Sequence, residues 1–159
     1  VDHAAAIFIE QVVRRGMTAP RGLPRLWSLC ESKLEYMQRE VFRGGCFFAA
    51  ASAEFDGRPG AVRERIAGHM KSWVELLAGA VRRAQDEGHL QADIDPAQLA
   101  FEIDSLAQGA NWAYQLFGDR ISFDRARRAT KARLDAAAAR PLPKSDPRRP
   151  RRKPAANRR

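Results

Sequence analysis

Apolar side chains recur at steps of three and four along nearly the whole chain, the spacing that lines one face of an α-helix. Ala4, Ile7, Phe8, Gln11 and Val12 mark a short amphipathic helix that stops near Gly16, and Met17-Thr18-Ala19-Pro20-Arg21-Gly22 reads as a loop. Leu23, Leu26, Trp27, Cys30, Leu34, Met37 and Val41 form the stripe of a second helix. Its Pro24 lies in the first turn, where no intrahelical N–H bond is lost. Gly44-Gly45 is expected to end it, because paired glycines add backbone freedom that no side-chain packing offsets.

Cys46 to Phe55 (CFFAAASAEF) is short, apolar and alanine-rich, which suits a buried helix, and Asp56-Gly57-Arg58-Pro59-Gly60 is a turn by composition. A long helix is predicted from about Ala61 to Glu87, with Val62, Ile66, Met70, Trp73, Leu77, Val81 and Ala84 on one face. Gly88 followed by Leu90 has the form of a Schellman stop. Asp95-Pro96 is the clearest start signal in the chain, an N-cap carboxylate before a first-turn proline. The helix it opens carries two stripes: Leu99, Ile103, Leu106, Ala110, Ala113 and Phe117, then Phe101, Ser105, Gln108, Trp112 and Leu116. A helix apolar on two sides needs two packing partners. Gly118 ends it, and a last helix starts at Ser122 or Asp124 and runs to about Ala139. No stretch alternates with the period of a strand. The expected fold is all-α, about six helices in an orthogonal or antiparallel bundle over residues 1–139.

Charge changes this picture at one end only. The formal net charge of +9 suggests nucleic acid. Residues 140–159, however, hold nine of the basic side chains and one acid, leaving a net of +1 for 1–139. Five of the nine prolines fall at 141–154. This second region reads as a basic, Pro/Arg-rich disordered tail. It is either a solvated terminus or a weak, non-specific phosphate binder.

Candidate chemistry is sparse. The histidines are His3, His69 and His89, none spaced for a metal helix. There is no GxSxG, phosphate loop or dinucleotide fingerprint. The chain is therefore not expected to be an enzyme, and no cofactor or metal is implied. Cys30 and Cys46 make no CxxC, so two reduced buried thiols are expected. No apolar run is long enough to cross a bilayer and no signal peptide is visible, which points to a cytoplasmic protein without a membrane partner. Trp27, Phe47, Phe48, Trp73, Phe101 and Trp112 are either ordinary core or the wall of an apolar pocket. Met70 shares the face of Trp73, and His69 beside it is a partly exposed helix histidine or a polar contact in that cavity. Tyr36, Gln108, Asn111 and Tyr114 stand out as a group: Gln108 and Asn111 fall mid-helix among apolar neighbours, and a buried amide needs a partner. Tyr36 joins the ligand candidates, Gln108 fits pocket or interface equally, and Asn111 fits the interface. Ser105, Gly109 and Ala113 are small residues four apart, able to seat a second helix; the alternative is a close contact within the chain. With Trp112, Leu116, Ala126 and Thr130 they complete the candidate dimer seam.

The run Gly44-Gly45-Cys46-Phe47-Phe48 through Glu54-Phe55-Asp56-Gly57-Arg58-Pro59-Gly60, with Val62-Arg63 after it, resembles the C-terminal domain of one branch of the TetR (tetracycline-repressor-like) family. Ala84 to Leu90, Asp93, Asp95-Pro96 and Leu99-Ala100-Phe101-Glu102 look like that family's connection into its dimerisation helices. The resemblance spans roughly residues 3–138. It implies an effector-binding domain, a homodimer in which the last two long helices build a four-helix bundle, and repression relieved by a small molecule. The family's three-helix DNA-reading unit cannot fit in residues 1–20, so DNA would be reached only through an absent N-terminal domain. Other readings are a stand-alone helical interaction module and a weak nucleic-acid binder acting through the tail.

Overall fold

The computed structural model describes residues 1–139; the basic segment 140–159 lies outside them. Six helices are present among the described residues. Helix α1 runs as Asp2–Phe8, widens into a π-helical stretch over Ile9–Arg14, and closes on Arg15–Met17. The others are α2 (Leu23–Gln38), α3 (Phe47–Phe55), α4 (Ala61–Asp86), α5 (Pro96–Phe117) and α6 (Ser122–Ala137). No helix is long and apolar enough to cross a membrane among the described residues.

The start and stop signals act as expected. Asp95 accepts the Ala97 N–H at 2.9 Å, with Pro96 in the first turn of α5. Gly88 sits at φ +71. The His89 N–H reaches Ala84 O at 2.8 Å and the Gly88 N–H reaches Gln85 O at 2.9 Å, the paired bonds of a Schellman stop. Leu90 then buries beneath the end of α4. Its neighbours continue the tie: Gln91 donates to Ala137 O at 3.0 Å, and Ala139 donates to His89 O at 3.0 Å. The C-terminal end of α6 is thus fastened to the α4–α5 connection.

One boundary differs from expectation. α2 stops at Gln38, five residues before the expected end at Arg43, and Glu40 takes φ +50. With Gly44 at +90 and Gly45 at +79, the chain reverses direction between Glu40 and Cys46. The reversal lays Gly45 against α5, where a Cβ would meet Asn111 Oδ1 at 2.2 Å.

α2 is the central element, packing against α1, α4, α5 and α6. Leu26, Leu29, Leu34 and Met37 are fully buried, but so are Ser32, Lys33 and Tyr36, which lie off the expected stripe. Gly16 explains how closely α1 approaches: a Cβ there would lie 2.8 Å from Leu29 Cα. α5 is flanked by α4 and α6. Its inner face buries Leu99, Ala100, Ile103, Ala107 and Ala110, while Phe101, Trp112 and Leu116 of the second stripe are 63%, 59% and 63% exposed. Within the protomer, one of the two apolar faces has no partner.

Candidate functional site

Between α1, α4 and α5 lies a cavity of about 320 Å³. Phe8 of α1, Phe48 of α3 and Trp73 of α4 form its aromatic wall, with Met70, Val74 and Leu76 completing the apolar lining. Phe8 meets Trp73 edge-on at 5.2 Å between centroids and Phe48 at 6.1 Å, the perpendicular geometry that ring quadrupoles favour. His69 stacks at a tilt 5.6 Å from Phe48. Its Nε2 lies 3.5 Å from Asp2 Oδ1, and Arg65 holds the same carboxylate through bonds of 2.6 and 2.9 Å. Those hydrogen bonds from Arg65 lower the Asp2 pKa despite its exposure. This cluster ties α1 to α4 at the edge of the cavity.

One charged group interrupts the apolar wall. Lys33 of α2 pairs with Asp104 of α5; their side chains are 4% and 14% exposed. Trp73 Nε1–H donates to the same Oδ1 at 2.8 Å, and the Lys33 ammonium lies 5.2 Å from the Trp73 ring centroid. Asp104 therefore joins three helices at a single oxygen. Buried ions lose hydration worth several kcal/mol each (about that scale after relaxation), so such a pair contributes little net stability. A neutral, shape-matched core would serve folding as well.

Five of the nine expected ligand residues bound this cavity: Phe48, His69, Met70, Trp73 and Gln108. Tyr36 is buried behind it, edge-on to Phe8 at 5.5 Å, and its hydroxyl is the buried side-chain oxygen without a hydrogen-bond partner among the described residues. Burial raises its pKa. Phe47 packs against Phe42 and Phe48 outside the cavity, and Trp27 is half-buried away from it. Phe101 faces outward on α5, because its stripe is the one left without a partner in the protomer.

The expected seam separates in the same way. Ser105, Gly109, Trp112 and Leu116 are exposed and Ala113 is half-exposed. Asn111, Ala126 and Thr130 are instead buried inside the protomer. Asn111 spends its carbonyl on the Cys46 N–H at 3.3 Å, whereas Ala126 and Thr130 lie on the inner face of α6. Beside the seam runs an open groove of about 560 Å³ between α3 and α5, and it shares Met70 and Gln108 with the cavity.

Lys33, Asp104 and Phe8 were not among the sequence candidates. A signal existed for Asp104, which lies four residues before Gln108 on one face of α5. Lys33 carried less, since lysine beside an apolar stripe usually extends to water.

Residues 22–130 match the family described as Tetracyclin repressor-like, C-terminal domain. The chain belongs to the TetR family. It is 34% identical over 99 residues to the transcriptional regulator AcuR of Cereibacter sphaeroides, an alignment covering 62% of this chain and 44% of that protein. The chain thus spans less than half the length of that curated relative. Solved TetR-family regulators share the fold at lower identity. One from Chloroflexus aurantiacus superposes with a TM-score of 0.79 at 18% identity, covering 86% of this chain and 69% of its own. One from Cytophaga hutchinsonii gives 0.71 at 15%, with coverages of 88% and 70%.

Proposed function

We propose that residues 1–139 form the effector-sensing and dimerisation domain of a cytoplasmic TetR-type transcriptional repressor, controlling DNA binding by a unit outside these residues. The observation that carries the reading is the cavity: about 320 Å³, walled mainly by aromatic and aliphatic side chains, with a few polar groups at Lys33, His69, Ser72, Asp104 and Gln108. That size and character match a small-molecule site between helices. A ligand there touches α1 and α4 directly and reaches α5 through Asp104 and Gln108. Its binding shifts the population between two helix arrangements.

The exposed face of α5 supports a homodimer. Phe101, Trp112 and Leu116 are large, more than half exposed and on one face of α5, the kind of apolar surface that marks a protein–protein contact. The same face favours a second reading, a stand-alone interaction module that needs no ligand. A thermal-shift screen of small apolar compounds separates the two, because a ligand that binds only the native state raises its melting temperature. If no compound that fits the cavity shifts it, the sensing reading fails and the interaction module stands.

A further inference from the structure

The cavity proposed as the effector site carries information about the ligand's polar group. A cavity of about 150 Å³ lined by apolar side chains holds a benzene. At about 320 Å³ this one holds roughly two such rings. The walls reward an apolar body; His69, Ser72 and Gln108 add neutral polar atoms at the lining, and the charged group there is the Lys33–Asp104 pair, held with Trp73.

Its donor and acceptor inventory is lopsided. Asp104 Oδ1 already accepts from both the Trp73 indole and the Lys33 ammonium. The ammonium has three N–H groups, and among the described residues a single hydrogen bond uses one of them. Two further N–H groups belong to a lysine that lines the cavity. The pair is also neutral as a unit. A carboxylate entering it would be stripped of water and set beside Asp104, while an ammonium would face Lys33; each case adds an uncompensated buried charge. An uncharged acceptor avoids both penalties and takes a charge-assisted bond.

We propose that the cavity selects a neutral amphiphile of roughly a dozen non-hydrogen atoms, an apolar body bearing one carbonyl oxygen that accepts from Lys33. Asp104 and Trp73 hold the ammonium in place, and Phe8, Phe48 and Met70 enclose the body. This rests on the cavity being the ligand site.

The test is calorimetric titration of the 159-residue chain with four probes sharing one body: naphthalene, 2-acetonaphthone, 2-naphthoate and 2-naphthylmethylammonium. The ketone should bind about tenfold tighter than naphthalene, the factor a charge-assisted hydrogen bond supplies, and the two ions should bind more weakly than naphthalene. In the Lys33→Met/Asp104→Asn double variant, which removes both charges together, the ketone's advantage should fall to about twofold or less with naphthalene binding retained. The ranking of the four probes on the unaltered chain decides the matter even if that variant does not fold. Tightest binding by the naphthoate overturns the proposal in favour of an anion. Equal binding of ketone and naphthalene overturns it while leaving the cavity as the site. Failure of all four overturns the cavity reading and this inference with it.

Discussion

A Gly45→Ala substitution places a Cβ 2.2 Å from Asn111 Oδ1 and 2.8 Å from Gln115 Nε2, on a backbone held at φ +79. Gly44 beside it is at φ +90, yet a Cβ there meets nothing within 4 Å. The two positions share one cost and differ in another. Forcing an L-residue into the left-handed region costs about 1–2 kcal/mol, and Gly44→Ala should lose no more than that. Gly45→Ala must also push Asn111 aside. Gln115 is exposed and can swing away, but Asn111 is buried and its Oδ1 accepts the Cys46 N–H at 3.3 Å. Leaving that buried donor unpaired costs about 1–3 kcal/mol more, for a total of about 2–5 kcal/mol. Urea unfolding followed by circular dichroism reads both losses, at one protein concentration because dimerisation would contribute to stability. Adding Asn111→Ala to Gly45→Ala should cost less than the separate losses predict, since the same bond cannot be lost twice. Equal losses at Gly44 and Gly45, or strict additivity in the cycle, would refute the claim that Asn111 is what requires glycine at 45.

Tyr36→Phe removes a buried hydroxyl with no partner and should raise stability by about 1 kcal/mol or more; a lower melting temperature would mean that the oxygen is bonded after all. Burial pushes the Cys30 thiol from 9.0 up to about 12. The unfolded chain therefore ionises first, and the stabilising contribution, whole below about 9, fades as pH rises toward about 12. Cys30→Ala should unfold less steeply with alkali over that window, and an unchanged pH dependence would count against burial as the cause. A Cβ at Gly109 meets nothing within 4 Å in the protomer. Gly109→Leu should keep the circular dichroism spectrum and monomer packing but move size-exclusion elution from dimer to monomer; unaltered elution would remove this part of α5 from the interface.

The fold was legible wherever a local rule is strong. Asp95-Pro96 and Gly88 set helix ends through bonds made within a few residues, so their chemistry can be read without the rest of the molecule. The close approach of Gly45 to α5 could not, because its partner lies on a helix more than sixty residues away. Periodicity located both faces of α5, but it ranks faces by composition and says nothing about which partner covers each. That is why Phe101 was grouped with the cavity, and why Asn111 was assigned to a seam when its amide turns inward to Cys46. The Lys33–Asp104 pair was hidden for a related reason. The two residues are 71 positions apart, and each alone looks like an ordinary surface charge.

The shared oxygen of Asp104 also makes α5 a roller. Asp104 lies on its inner side, held by Lys33 and Trp73, and the neighbouring Phe101, Ser105 and Trp112 lie on its outer side. A helix with its side chains has a radius of about 5–6 Å, so a turn of about 10° about its axis carries an outer side chain about 1 Å sideways. On the hypothesis that a ligand carbonyl bonded to Lys33 shifts the Lys33–Asp104 contact without breaking it, the outer surface turns without any helix lengthening or bending. A fluorinated Trp112 whose NMR signal stays fixed on ligand binding would exclude such a twist.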